Sequence, residues 1–257
     1  MARLTYTAPM LPALRRVFVP WIASPNDYEK QVRSQNGEDG ILVELFSRLQ
    51  IHRGYFVEFG VQDGAQCNAA HLALDRQWAG VMIEGNPDYA PALLQRYQTS
   101  ATRVVSAFVT AENIAGLFEA ASVPADFDLL SIDIDGNDYW VWRALHAYRP
   151  KVVVIEYNAV HPPPERWVMR YDPAHVWDGS TYYGASLASL VALGESMGYA
   201  LLCTDVRGVN AFFVRREFAA AVRFALPSVE RAYHPVAFQG STGGIGHPPG
   251  EGSFERI

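Results

Sequence analysis

Five short apolar runs that alternate with segments of helical periodicity constrain the fold of this chain more than any other feature. The apolar runs lie at 55–59, 81–83, 103–105, 129–134 and 152–155. The helical segments lie between them, at 66–78, 87–97, 113–121 and 138–148. Strands that alternate with helices form parallel sheets that carry helices on both faces. The pattern therefore predicts an α/β fold built on a doubly wound, Rossmann-like sheet.

Two further apolar runs extend the predicted sheet to seven strands. They lie at 199–204 and 211–214, on either side of a short polar turn, and a helix is predicted before them at 186–197. Strands joined by so short a turn pair antiparallel. Antiparallel strands are common at the edge of an otherwise parallel sheet. The sequence therefore predicts a mostly parallel seven-stranded sheet with a C-terminal antiparallel hairpin.

The chain has 257 residues, which is enough to bury a substantial core in one domain. Its composition, 49% hydrophobic and 19% charged, is ordinary for a globular protein. We therefore predict a single domain over residues 1–257. Three parts fall outside the alternation: an N-terminal extension at 1–33, a loop at 158–184 and a tail at 235–257. The loop is long and contains several aromatic residues, so we expect it to bind substrate. The tail is rich in glycine and proline, and we expect a flexible tail, a lid or an arm onto a partner subunit.

The net charge limits the class of ligand, and the cysteines bear on whether the chain holds zinc or disulfides. A net charge of −6 argues against binding to nucleic acid or to an anionic membrane and favours a small neutral or cationic ligand. Cys67 and Cys203 have no metal-ligand spacing, so neither a zinc site nor a disulfide framework is expected. Arginines and prolines interrupt the first twenty residues, so we expect no signal peptide and a cytoplasmic location. The tail and the proline-rich loop leave room for a homodimer.

The turn after the first predicted strand is the first candidate site. Gly60 and Gly64 allow a tight turn that can approach a ligand, although the three-glycine fingerprint of dinucleotide binders is missing. Glu84 ends the second strand, 20 residues beyond Gly64, where an acidic residue can bind ribose hydroxyls. Glu58, Asp63 and Glu84 together would repel a pyrophosphate and attract a cationic sulfonium. The site therefore favours S-adenosylmethionine over a nicotinamide dinucleotide.

Four motifs, in order along the chain, resemble the successive motifs of class I S-adenosylmethionine-dependent methyltransferases, specifically the FkbM-like group. The motifs are VEFGVQDG at 57–64, IEGNP at 83–87, SIDIDG at 131–136 and VIE at 154–156. The resemblance spans roughly residues 34–215. The segment SQNGED at 34–39 also resembles an element of part of the group, which implies a cover for the cofactor; a helix cap is the alternative.

The resemblance implies how these motifs divide the cofactor between them. The turn after the first strand approaches the methionine part, the acid after the second strand binds the ribose, the segment after the third strand flanks the adenine, and Asp133 lies near the amino group. Together with the charge argument, the candidate cofactor-binding residues are Glu58, Gly60, Asp63, Gly64, Glu84, Gly85, Ser106, Ala107, Phe108 and Asp133.

The acids that follow the fourth and fifth strands are the candidate catalytic groups. Methyl transfer to a hydroxyl requires alignment of the acceptor and removal of its proton. Asp133 and Asp135 follow the fourth strand and Glu156 the fifth, and neighbouring strand ends can bring carboxylates together as a base or as a Mg²⁺ site. His161 is the rival base. For Asp135 and for Asp138, which opens the next helix, a structural role in a glycine-containing turn or as a helix N-cap is the alternative.

A second resemblance concerns a metal. Asp133, Glu156 and Asn158 are similar to the acidic residues and the asparagine that bind the cation in metal-dependent O-methyltransferases, some of which act on sugars. The resemblance implies a Mg²⁺ site at these three residues. Such a cation could lower the pKa of a substrate hydroxyl.

The leading hypothesis is a methyltransferase that uses S-adenosylmethionine to methylate a hydroxyl of a small or oligosaccharide acceptor. Aromatic residues of the 158–184 loop could form a platform for a sugar, as in polysaccharide or secondary-metabolite biosynthesis. Two alternatives stay open. The chain could be an NAD-dependent oxidoreductase on the same topology, or a non-catalytic subunit that binds S-adenosylmethionine.

Overall fold

The computed structural model describes residues 24–240 and 243–257; most of the predicted N-terminal extension, residues 1–23, lies outside the described residues. The nine strands of the described residues are β1 (Tyr55–Phe59), β2 (Ala79–Glu84), β3 (Thr102–Ser106), β4 (Asp126–Ile132), β5 (Arg149–Glu156), β6 (Trp167–Met169), β7 (Tyr199–Thr204), β8 (Asn210–Arg215) and β9 (Phe254–Arg256). Seven of them form one sheet in the order β3-β2-β1-β4-β5-β8-β7, and β6 pairs with β9 in a second, two-stranded sheet.

Strands β1 to β5 are parallel to one another, whereas β8 runs antiparallel to both β5 and β7. The predicted mostly parallel, seven-stranded sheet with a C-terminal antiparallel hairpin is therefore confirmed. The chain crosses the sheet after β3, so the strand order reverses between β1 and β4. In doubly wound sheets, ligands bind beyond the carboxyl ends of the strands at this reversal.

Helices cover both faces of the sheet. They are α1 (Glu38–Arg48), α2 (Ala70–Asp75), α3 (Ala90–Tyr97), α4 (Ile114–Ala120), α5 (Asp138–Ala144), α6 (Leu187–Ser196), α7 (Ala219–Val222) and α8 (Val229–Ala232). Successive strand residues alternate between the faces: Phe56 packs in a core with α1 to α3, whereas Val57 packs in a core with α4 to α6. None of the described helices has the length and apolar character needed to cross a membrane.

The 158–184 loop and the 235–257 tail pack against each other. In the small sheet, Trp167 of β6 is opposite Arg256 of β9, and Met169 is opposite Phe254. The backbone N–H of Thr181 also donates a hydrogen bond of 2.9 Å to the carbonyl of Pro248. The described part of the tail thus folds back over the loop instead of projecting into solvent as a free segment.

Candidate functional site

Two adjacent cavities open at the carboxyl ends of the parallel strands, with volumes of about 470 and 480 Å³. Their shared wall is formed by Gly60, Gln62, Asp133, Asp135 and Trp177. The first cavity extends towards β5, β8 and the tail, and the second extends towards the ends of β2 and β3. Both lie at the reversal of strand order, where a doubly wound sheet binds its ligand.

The turn after β1 depends on its two glycines. Gly60 has a φ of +80°, and a Cβ there would lie 1.4 Å from the carbonyl oxygen of Asp133. Gly64 has a φ of +76°, and a Cβ there would lie 2.6 Å from Leu93 Cδ1 and Tyr97 Cε2. Only glycine combines this backbone conformation with so close an approach of the chain. The turn can therefore present backbone to a ligand in either cavity.

Glu58 lines the first cavity and also holds the segment that follows the turn. Its carboxylate accepts hydrogen bonds of 2.8 Å from the backbone N–H groups of Asn68 and Ala69, and one of 3.1 Å from Ser131 Oγ. Burial raises the pKa of Glu58 to about 7, although these hydrogen bonds oppose the shift. Because Glu58 binds this backbone, α2 begins only at Ala70, four residues later than the sequence predicts.

Glu84 lies at the floor of the second cavity and joins two loops. One carboxylate oxygen accepts the backbone N–H of Gln62 at 2.6 Å, and the other accepts that of Asn86 at 2.7 Å. Each oxygen keeps a lone pair for a further hydrogen bond. Gly85 packs against Phe108, because a Cβ on Gly85 would lie 3.1 Å from Phe108 Cδ2. This geometry suits an acid that binds a diol beside a planar group.

The rest of the second cavity is largely apolar. Its apolar walls include Ile83, Pro87, Tyr89, Phe108, Val109 and Val176. Of the three residues predicted to flank the adenine, Phe108 therefore lies in the wall, whereas Ser106 and Ala107 do not. Ala107 instead donates its backbone N–H to the carbonyl of Glu84 at 2.9 Å, which continues the pairing of β2 and β3.

Asp63 lies in the wall of the first cavity, and its charge is partly satisfied within the protein. Arg96 Nη2 lies 3.1 Å from Asp63 Oδ2, and Arg96 Nε donates to the Asp63 carbonyl at 3.0 Å. The other carboxylate oxygen accepts the backbone N–H of Ala65. The charge available to a cationic ligand therefore comes mainly from the other acids of the two cavities.

Three carboxylates converge where β4 and β5 end. Asp133, Asp135 and Glu156 each place one oxygen so that the three atoms lie within 4.8 Å of one another. Burial raises the pKa of Asp135 to about 7 and, together with repulsion between the acids, holds the pKa values of Asp133 and Glu156 well above their usual range. Glu156 Oε2 is shielded from solvent and has no hydrogen-bond partner. This acidic cluster can accept a proton or surround a cation.

The structural alternative considered for the turn after β4 applies to Asp138. Its carboxylate accepts the backbone N–H groups of Ile134 and Gly136, both at 2.9 Å, and it is completely buried. Asp135 has a φ of +51° in the same turn but lines both cavities. Asp138 thus fixes the turn, and Asp135 remains available to a ligand.

Asn158, the third predicted metal ligand, is engaged by hydrogen bonds within the protein. Its side-chain amide donates to the carbonyls of Thr181 and Tyr183, both at 2.9 Å, and its oxygen accepts the backbone N–H of Val160. These bonds hold the 158–184 loop. Asp135 takes the third position beside Asp133 and Glu156.

His161, the predicted rival base, lies outside the walls of both cavities. Its ring packs edge-on against Phe254 of β9, with ring centroids 4.7 Å apart, and burial lowers its pKa. His175 of the same loop lies in the wall of the second cavity instead, and its Nε2 is buried without a hydrogen-bond partner. Both histidines lie in the 158–184 loop, and sequence reasoning favoured His161 because it follows the end of the fifth strand closely.

The SQNGED segment does not cap α1, because Gly37 occupies the N-cap and no side chain makes a capping hydrogen bond there, so the helix-cap alternative is wrong. Its role as a cover for the cofactor stays a prediction. Asp39 accepts the backbone N–H and the hydroxyl of Ser34, each at 2.7 Å, which fixes the segment before α1. Glu38 accepts the side-chain amide of Asn210 at 2.9 Å. The members of this segment that line the first cavity are Gln35, Asn36 and Glu38. The segment therefore closes the cavity from the N-terminal side.

Residues of the tail complete the first cavity, which sequence reasoning missed. They are Phe238, Gln239, Gly240 and His247. Gln239 pairs with Ile245 in an isolated antiparallel bridge, and Gly246 donates its N–H to the Phe238 carbonyl at 2.9 Å. The tail carries only a glycine- and proline-rich composition, which indicates a turn but not the surface against which the turn packs.

The free energy of unfolding is expected to fall as the pH rises through the range from about 4 to about 7. Burial raises the pKa values of Glu58, Asp135 and Asp205 to about 7 in the folded protein, whereas the unfolded chain has values near 4. The folded state therefore binds protons more tightly, and its advantage is lost as these groups ionise. Urea unfolding should give a free energy at least about 2 kcal/mol lower at about pH 8 than at about pH 5. A free energy that stays level or rises over this range would contradict the assignment.

No protein-family model matches the chain, and no curated protein is significantly similar to it. Solved structures with some similarity include SAM-bound CalS10, an amino pentose methyltransferase from Micromonospora echinaspora (10% identity, TM-score 0.44, covering 82% of this chain and 100% of that one). Apo CalS11, a TDP-rhamnose 3'-O-methyltransferase, is 15% identical (TM-score 0.44, 67% and 76%). A methyltransferase from Clostridium acetobutylicum is 11% identical (TM-score 0.43, 79% and 94%). Values this low assign neither a family nor a substrate to the chain.

Proposed function

We propose that the chain is an S-adenosylmethionine-dependent methyltransferase, of the FkbM-like group that its motifs resemble, and that it methylates a hydroxyl of a sugar or glycan. The position of Glu84 carries the proposal. Its carboxylate lies at the end of β2 on the floor of an apolar cavity, beside Phe108 and the Gly60 turn. A ribose diol can bind the acid while the adenine packs against the aromatic wall.

The charge of the shared wall supports S-adenosylmethionine over a dinucleotide. Asp133 and Asp135 lie between the two cavities, and Glu58 lines the first. A pyrophosphate bound here would meet carboxylates, whereas a sulfonium and an ammonium would be attracted by them. A ligand that spans both cavities would place its positive charges beside these acids.

S-adenosylmethionine supplies a methyl group on a positively charged sulfur, which leaves as S-adenosylhomocysteine when a hydroxyl oxygen bonds to the methyl carbon. The chain must hold that oxygen in line and take its proton. Asp133 lies in the shared wall, and burial and the neighbouring carboxylates raise its pKa. A carboxylate with a raised pKa is a stronger base than an ordinary aspartate. We assign proton removal to the acidic cluster, with Asp133 as the accepting group.

The acidic cluster also fits a magnesium ion. Asp133, Asp135 and Glu156 offer hard oxygen ligands within 4.8 Å of one another, and Glu156 Oε2 has no partner in the protein. Mg²⁺ prefers such oxygens. An ion held by these three residues would lower the pKa of the acceptor hydroxyl and relieve the repulsion between the carboxylates.

Replacement of Glu84 by glutamine should weaken binding of S-adenosylhomocysteine by about 10- to 100-fold, because the amide lacks a charge and one of its two oxygen acceptors. Isothermal titration of the purified chain, with and without Mg²⁺, measures this change. NAD serves as the competing ligand and should not bind.

Asp88→Asn is the matched control, because Asp88 is exposed and lies outside the described walls of both cavities. It should leave the affinity for S-adenosylhomocysteine unchanged. Absence of binding to the wild-type chain in either buffer would refute the proposed function, and the glycine turn would then have a structural role only.

A further inference from the structure

Unpartnered polar atoms gather on the side of the first cavity that lies away from Glu84. Asn210 is 3% exposed and its Oδ1 has no hydrogen-bond partner; Glu156 is 7% exposed and its Oε2 has none either. His247 Nδ1 is likewise shielded from solvent without a partner. All three residues line the first cavity. Buried polar atoms nearly always have partners, so such a group on a cavity wall marks a place where a ligand or water donates and accepts hydrogen bonds.

Aromatic rings lie next to these polar atoms. The His247 ring packs edge-on against Trp177, with ring centroids 4.7 Å apart. It packs at a tilt against Phe238, with ring centroids 5.0 Å apart. Trp177 and Phe238 both line the first cavity, and the Trp177 ring nitrogen donates to the Ser180 carbonyl at 2.8 Å, which fixes the ring. A wall that combines aromatic faces with hydrogen-bonding groups suits a ring that carries hydroxyls on one edge and C–H groups on its face.

The charge of the cavity limits which rings can enter. Acids from four parts of the chain, represented by Glu38, Glu58, Asp133 and Glu156, line the first cavity. Within residues 24–240 and 243–257, neither cavity has a lysine or an arginine in its wall. Without a bound metal ion, a phosphate group placed here would lose its hydration and meet carboxylates instead of cations.

We propose that Asn210, Glu156 and His247, with the rings of Trp177 and Phe238, form the acceptor subsite, and that it binds an uncharged or amine-bearing carbohydrate and rejects sugar phosphates and nucleotide-linked sugars. The inference rests on the proposed function, because it names the acceptor of that reaction. Glu156 and Asn210 accept hydrogen bonds from hydroxyl or ammonium groups. Burial lowers the pKa of His247, so its ring is neutral near pH 7 and can accept or donate a proton.

The test compares four series of glucose and galactose derivatives: methyl glycosides, 2-amino-2-deoxy glycosides, 1-phosphates and nucleoside diphosphate esters. Binding to the full chain is measured by saturation-transfer NMR and titration in buffer with a chelator and no divalent cation, with S-adenosylhomocysteine present in excess. We expect glycosides or amino glycosides to bind at least about tenfold more tightly than the phosphorylated derivatives of the same sugar. Tighter binding of the 1-phosphates or the nucleotide esters would overturn the proposal, as would absence of binding by every glycoside.

A variant separates the subsite from the cofactor site. His247→Phe keeps a ring in the wall but removes both nitrogens, so glycoside binding should weaken about three- to tenfold while S-adenosylhomocysteine binding stays the same. Ile245→Ser is the control in the same part of the tail, because Ile245 is 80% exposed. This substitution should change the affinity for neither ligand. Unchanged glycoside binding by His247→Phe would overturn the proposal. The titration of the wild-type chain with S-adenosylhomocysteine is made first. Absence of binding in that titration would refute the proposed function itself.

Discussion

Replacement of Gly60 by alanine should disrupt the carboxyl edge of the sheet and abolish binding of S-adenosylhomocysteine. The added Cβ would lie 1.4 Å from the Asp133 carbonyl oxygen and 2.6 Å from the carbonyl carbon, at a backbone φ of +80°. Neither segment can move away cheaply, because Gly60 N–H bonds to the Ile83 carbonyl and Asp133 N–H bonds to the Phe59 carbonyl. We expect a loss of at least about 4 kcal/mol in the free energy of unfolding, measured in urea.

Gly116→Ala is the matched control for this substitution. Gly116 lies inside α4, and a Cβ there would have no heavy atom within 4 Å. Alanine favours a helix over glycine, so this variant should gain about 0.5 to 1 kcal/mol. If Gly60→Ala unfolded at the same urea concentration as the wild-type chain, the close approach of the turn to β4 would be wrong.

Asp133→Asn should lower the rate of methyl transfer about 1,000-fold, because the amide keeps the shape of the side chain but cannot accept a proton. The rate is measured as S-adenosylhomocysteine formed with the glycoside of the panel that reacts fastest. Asp133 belongs to the acidic cluster and to the wall that separates the two cavities. Asp88→Asn makes the same change of aspartate to asparagine at an exposed position, and this variant should keep the wild-type rate.

The same assay decides whether the acidic cluster holds a metal. If it does, removal of cations with a chelator should lower the wild-type rate, and Mg²⁺ should restore it, whereas Asp133→Asn should respond to neither. A wild-type rate that is independent of Mg²⁺ would leave proton removal to the carboxylates alone. A near-normal rate in Asp133→Asn would contradict both roles.

The fold and the placement of the strand-end residues could be predicted from the sequence because their signals are local. The alternation of apolar runs marks the strands, and strand ends place Gly60, Glu84 and Asp133 at one edge of a parallel sheet. Even here the start of α2 was predicted too early, since the hydrogen bonds that Glu58 accepts from the backbone N–H groups of Asn68 and Ala69 arise between segments and leave no periodic pattern.

The walls that the loop and the tail add to the first cavity could not be predicted, because their residues meet only through distant contacts. Asn158 looked like a ligand from its position after β5, but the carbonyls of Thr181 and Tyr183 occupy its amide. His161 looked like a base, but β9 covers it with Phe254. His247 lies in a tail whose composition indicates turns alone, and nothing in that composition places it on the cavity wall.

The small sheet of β6 and β9 makes the loop and the tail mutually dependent. Each strand has three residues, and a two-stranded ladder of this length is marginal without further support. The two segments should therefore open and close as one cooperative unit. Trp177 belongs to this unit and lines both cavities. If the two cavities hold the proposed cofactor and acceptor, we expect each ligand to order this unit and so to raise the affinity for the other.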